Sequence, residues 1–147
     1  MHLSDFLCRD CTLADMKAAA KEDVLLELAE AAADAGLDAK TVHAVLLERE
    51  RLGSTAVGNG YAIPHGKMPG LPKMVLTFAR SRQGVSFAAP DDKPCTLFFM
   101  VLAPEGAAGQ HLGLLGSIAR LAKDASFKNR LLQAGTAEEL NEFLLSA

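Results

Sequence analysis

Three side chains in this sequence have the types and settings of reactive groups: His65, His111 and Arg49. His65 follows the apolar run Tyr61-Ala62-Ile63, which Pro64 ends by fixing φ and removing a donor, and Gly66 behind it adds no side chain to crowd the imidazole. An imidazole on such a support is a candidate nucleophile, oriented through its second ring nitrogen. The bland alternative is a glycine-rich turn whose histidine satisfies a neighbour. Arg49 lies among Val42, Val45, Leu46 and Leu52 on one face of a predicted helix, with Glu48, Glu50 and Arg51 off that face. A guanidinium there needs either a buried carboxylate partner or a cleft in which anions bind, because a buried unpaired charge is costly. His111 heads the stripe His111, Leu115, Ile118 and Ala122 in the first turn of another predicted helix. The positive end of that helix favours a neutral imidazole and offers amides to an anion. The competing reading is a satisfied core histidine.

Together these groups match what reversible histidine phosphorylation requires. The nucleophile is a neutral imidazole nitrogen, and the transferring phosphoryl group needs a fixed cation and dipoles aimed at its oxygens. Arg49 supplies the cation; His111 and its helix start supply the dipoles. The loop entering His65 is rich in glycine, and Gly58 and Gly60 around Asn59 allow φ > 0 and close approach of a ligand. No cofactor is expected. A catalytic zinc takes three protein ligands, and no HExxH or spaced carboxylate pair completes a set with His65 and His111.

The elements that must position these residues can be read from periodicity. A short helical turn is expected at residues 3–7 and a short strand over Cys11 to Leu13. A helix is expected from Lys21 to Ala35, stopped by Gly36, then a second from an Asp38 N-cap to about Leu52. The unalternating runs Met74 to Ala79 and Thr96 to Leu102 predict strands covered on both faces, with a third short strand at Val85 to Phe87 and a turn from Ala89 to Pro94. Helices follow over Gln110 to Lys123, over Ala125 to Gln133, and after Gly135, where Thr136 and Glu139 make a capping box. The expected fold class is α/β: a three-layer α/β/α sandwich with a mixed β-sheet, in the order β-α-α-β-β-β-α-α-α.

The chain has 147 residues, half of them hydrophobic, and a formal net charge of -3. That predicts one domain with a sizeable core and argues against a nucleic-acid surface. No segment approaches the ~20 apolar residues of a membrane span, and the start MHLSDFLCRD has no signal-peptide pattern, so a cytoplasmic protein with no membrane insertion is expected. Three cysteines then read as reduced thiols: Cys95 in the core, and Cys8 and Cys11 as a CxxC without the surroundings of a redox or zinc motif.

The segments ERERLGSTAVGNGYAIPHGK (48–67), FAAPDDKPCTLFFMVLAPEG (87–106) and HLGLLGSIARL (111–121) resemble the enzyme IIA domain of the bacterial sugar phosphotransferase system, fructose/mannitol type. Within it they are most similar to the free-standing nitrogen-regulatory branch. The resemblance spans nearly all of residues 1–147 as a single domain, weakest before about residue 20. It implies that His65 is phosphorylated, that His111 supports it, and that Arg49 stands beside the phosphoryl group. Ser54, Thr55, Gly58, Asn59, Gly60 and Gly66 would form the phosphate loop and partner rim. The implied donor is HPr or a similar histidine-phosphorylated carrier. Implied targets are the cysteine of a separate IIB domain, a sensor kinase or an ion transporter, with a binding-only regulator as the alternative. Tyr61 stands where the family has a smaller aliphatic residue, at the expected rim, and Ala20 where a serine often caps the first long helix.

Overall fold

The computed structural model describes residues 2–147. Strand β5 (Cys95–Pro104) runs through the middle of a mixed sheet. On one side lies β4 (Val75–Val85), antiparallel; on the other, β2 (Tyr61–Ala62) and β3 (His65–Met68) lie end to end, both parallel to β5. Pro64 separates β2 from β3 without breaking the ladder, because its carbonyl still accepts from Val101 N at 3.0 Å. Strand β1 (Ala56–Gly58) pairs antiparallel with β2.

Alternate residues of β5 enter two separate cores. Leu97, Phe99, Val101 and Ala103 face one, while Phe98, Met100 and Leu102 face the other. This explains why the strand reads as an unbroken apolar run. Helices α1 (Lys21–Ala31) and α2 (Ala39–Glu50) cover the second core; α3 (Ala108–Leu121), α4 (Ala125–Gln133) and α5 (Ala137–Leu145) cover the first. The three-layer α/β/α sandwich with a mixed sheet is therefore the observed fold.

Local signals act where chemistry places them. Asp38 caps α2 by accepting from Thr41 N at 3.1 Å, and Gly36 at φ 81° ends the 3-10 turn that follows α1. Ala20 occupies the N-cap of α1 with no side-chain bond, leaving Glu22 and Asp23 to meet the helix's positive end. Thr136 caps α5, while Glu139 reaches Gly135 N.

Four expectations are corrected. The strand expected at Cys11 to Leu13 is a 3-10 turn (Arg9–Cys11) followed by a single bridge from Leu13 to Ala79, so the sheet begins after α2. Five strands follow α2 rather than the three of the expected order, because the 56–68 segment adds strands divided at a hairpin turn and at Pro64. No separate strand forms at Val85 to Phe87: Val85 is the last residue of β4, Ser86 makes a single bridge to Ala20, and Phe87 lies outside any strand. Finally, Cys8 and Cys11 are joined in a disulfide rather than free: the tight turn holds their Cα atoms 5.5 Å apart, within bridging range.

Candidate functional site

Gly66 explains how α2 reaches the sheet. A Cβ built on it would lie 2.3 Å from Val45 Cγ1, so the helix rests directly on the β3 backbone. Arg49 is one turn beyond Val45 on the same helix face, and His65 is the residue before Gly66. The missing side chain thus allows close helix–strand packing, which brings a cation up to the histidine.

His65, His111, Arg49, Lys67 and Val45 line one cleft of about 640 Å³. The imidazole of His65 is oriented by Nδ1, 2.7 Å from the Ile63 carbonyl. A carbonyl only accepts, so Nδ1 carries the hydrogen and Nε2 keeps a lone pair. Burial lowers the pKa of His65; the Ile63 contact opposes this, Arg49 lowers it further and Glu50 raises it. The His111 ring stands nearly perpendicular to it, with centroids 5.3 Å apart. His111 is 8% exposed, and its Nε2 is buried without a protein partner. Burial lowers its pKa too, helped by His65 and Lys67. Its position in the first turn of α3 favours the same neutral state.

Of the two settings open to Arg49, the structure shows the cleft. Its Nη1 donates to Gly53 O at 3.0 Å, and no carboxylate among the described residues pairs with it. The flanking acids are occupied elsewhere. Glu48 pairs with Arg51 at 2.9 Å; Glu50 pairs with Lys21 at 2.9 Å and accepts from Thr55 N and Oγ1. Glu50 was expected off the apolar face, yet its side chain is 6% exposed, because it faces the junction with Lys21 and Thr55. The chain's buried arginine is Arg80, 1% exposed, which sequence reading did not single out. It donates to the carbonyls of Ala14, Leu131 and Ala134, and so closes the C-terminal end of α4 from β4.

The glycine-rich loop is not brought to this cleft. Asn59 (φ 55°) and Gly60 (φ 82°) are the central residues of a two-residue turn joining β1 to β2, the Asn-Gly pair that a type I′ hairpin favours. Gly60 O accepts from Thr96 N and Leu97 N, whereas His65 pairs with Val101, which separates the two along β5 by about 15 Å. Every polar arm of Asn59 is held: N by Asp91, Nδ2 by Ala122 O, O and Oδ1 by Lys128. Ser54 donates to Phe87 O, and Thr55 is tied to Glu50. Tyr61 is also not on a rim. It is fully buried against Phe99, with its hydroxyl unpartnered.

One residue was missed. Lys67 is two positions after His65 in β3, so strand alternation puts both on one face. That period-2 relation was visible in the sequence once His65 was taken as a strand residue rather than as part of a turn. Among the described residues, no three His, Cys, Asp or Glu side chains gather to hold a metal, and no helix is long and apolar enough to cross a membrane.

This arrangement can be compared with known proteins. The family model described as phosphoenolpyruvate-dependent sugar phosphotransferase system, EIIA 2, matches residues 5–147. A nitrogen regulatory protein of Bradyrhizobium diazoefficiens is 41% identical over 145 residues, 98% of this chain and 95% of that protein. A fructose-specific EIIA component of Haloferax volcanii is 37% identical over 128 residues, covering 86% and 83% of the two chains. The crystal structure of nitrogen regulatory protein IIA-Ntr from Neisseria meningitidis superposes with a TM-score of 0.89 at 34% identity, covering 97% of this chain and 98% of that one. The chain belongs to the EIIA 2 family of the phosphoenolpyruvate-dependent sugar phosphotransferase system.

Proposed function

We propose that this chain is a phosphoryl carrier and regulator: His65 Nε2 accepts a phosphoryl group from the phosphohistidine of a small HPr-like protein, and the modified state is read by other proteins. The observation that carries the reading is the tautomer of His65. With Nδ1–H donated to Ile63 O, Nε2 can attack phosphorus directly and no proton has to leave. The bond from phosphorus to the donor's nitrogen breaks as the new one forms. The charge on the three phosphoryl oxygens is met by Arg49, by Lys67 and by His111 Nε2, whose missing partner is then an oxygen of the group in transit. Leu52, which lines the cleft, and Leu112, next to His111 in α3, are 82% and 72% exposed and give the donor an apolar surface to dock on.

The nitrogen regulatory relatives support a regulatory output, and the targets that the family resemblance implies for it are a sensor kinase or an ion transporter. The fructose-specific relative supports a second reading, in which the group passes to the cysteine of a separate IIB domain. Incubation with phosphoenolpyruvate, enzyme I and a carrier protein of either branch should add one acid-labile phosphate by mass. His65→Ala should acquire none; phosphate on that variant would overturn the assignment. Transfer onward to a purified IIB cysteine would select the second reading. Partners that bind wild type and His65→Asp differently would select the first.

A further inference from the structure

The N-terminal segment contains a device unrelated to the cleft. Residues 6–16 run along the outer edge of β4, parallel to it: Cys8 N donates to Leu76 O, Leu13 N to Phe78 O and Met16 N to Arg80 O, while Leu76 N and Arg80 N donate back to Phe6 O and Leu13 O. The pairing is out of step. Leu7 bridges Leu76 and Leu13 bridges Ala79, so six steps of one segment lie against three of the other. The surplus is the 3-10 turn Arg9–Cys11, looped out of the edge and closed at its base by the Cys8–Cys11 disulfide. Asn141 of α5 holds the same turn through Arg9 O and Thr12 Oγ1. The two sulfurs differ in access: Cys11 is 1% exposed, whereas Cys8 is half-buried.

We propose that Cys8–Cys11 is a thiol–disulfide exchange site whose substrate is a dithiol, and that its reduction loosens the segment clipped to β4. The incoming thiolate attacks Cys8 Sγ, the accessible sulfur; the Cys8–Cys11 bond breaks, and Cys11 Sγ leaves as a thiolate and takes a proton. The donor's second thiol then attacks the mixed disulfide, releasing Cys8 as a thiol and the donor as a disulfide. Two electrons and two protons pass from donor to protein. The outer edge of β4 then keeps the Asn141 tie but loses the covalent closure of its loop, and an uncovered strand edge is a place where other strands pair.

Three measurements test this on the full chain. After equilibration with excess glutathione disulfide, alkylation under denaturing conditions should label Cys95 alone, and after dithiothreitol all three cysteines; three labels in both samples would overturn the proposal. Cys11→Ala, which leaves the accessible sulfur, should form a mixed disulfide with an aromatic disulfide reagent at least about tenfold faster than Cys8→Ala, which leaves the buried one; equal rates would overturn the direction of attack. Hydrogen exchange of wild type, which needs no variant to fold, should show Leu76 and Arg80 amide protection falling at least about tenfold on reduction. Equal protection in the two redox states would overturn the clip.

Discussion

The two ends of the 56–68 segment look alike in sequence and behave oppositely in space. At the hairpin tip, Asn59 has each of its polar atoms held by Asp91, Ala122 or Lys128. At the other end, His65 keeps Nε2 free, His111 Nε2 is buried without a partner, and Arg49 has no carboxylate among the described residues. Glycine marks both ends for different reasons. Gly60 supplies a positive φ, whereas Gly66 removes a Cβ that would collide with Val45. A polar cluster that satisfies itself is structure; one that leaves its donors open around a cleft is prepared for a ligand.

The largest test sets the buried arginine, Arg80, against the cleft arginine, Arg49. Arg80→Met removes three charge-assisted bonds and orphans carbonyls of Ala14, Leu131 and Ala134, so urea unfolding should show a loss of about 3 kcal/mol. Arg49→Met gives up one bond to Gly53 O and should cost under about 1 kcal/mol of stability. It should nevertheless slow phosphorylation of His65 by about 100-fold, the scale for removing one preorganised group from a transition state. Equal stability losses, or an unslowed Arg49→Met, would erase the distinction between a structural and a functional arginine.

Gly66→Ala is the next largest. The added methyl meets a β-branched side chain that is stiff in a helix, so α2 must shift from β3, at a cost of about 1–3 kcal/mol by thermal or urea unfolding. Val45→Ala in the same chain opens the space and should restore part of that loss. Failure of the rescue would mean that the collision is not what glycine avoids here.

These comparisons also show what the sequence made legible. The layers were readable because β5 is buried on both faces and α2 has a strong cap, so local pattern and tertiary role agree. His65, His111 and Arg49, which line one cleft, stood out because Arg49 and His111 interrupt apolar stripes and His65 follows a strand-like run that Pro64 ends. Glu50 and Arg80 did not, since their partners are Lys21, Thr55 and the distant carbonyls of Ala14, Leu131 and Ala134, which no spacing announces. The Asn59 loop misled for a related reason: Asn-Gly serves a hairpin and a ligand loop equally well, and only the paired strands on either side decide.

Asn59→Ala tests that decision with a smaller effect. It removes the side-chain contacts to Ala122 O and Lys128 Nζ, keeps the bond from Lys128 to the residue 59 carbonyl, and leaves an alanine at φ 55°, for an expected loss of about 1–2 kcal/mol. The phosphorylation rate of His65 should stay within about twofold of wild type, because no transition-state contact is lost. A large fall in rate without a fall in stability would place the tip back in the site.

The smallest effect is electrostatic, and its direction is fixed by the surroundings of the two histidines. Burial holds both below the ordinary 6.5, and cations push the same way: Arg49 on His65, Lys67 on His111. The unfolded chain therefore binds more protons than the folded one between 6.5 and the lowered values. Their contribution to stability is complete above 6.5 and is lost as pH falls through that window. Followed by the ring-proton shifts of each histidine, Arg49→Met should raise the midpoint of His65, and Lys67→Gln that of His111, in both cases toward 6.5. A midpoint that does not move would remove the cation from that histidine's surroundings. Lys67→Gln leaving His111 unchanged would also weaken the proposed role of Lys67 toward the phosphoryl group, which rests on its sharing the cleft with His111.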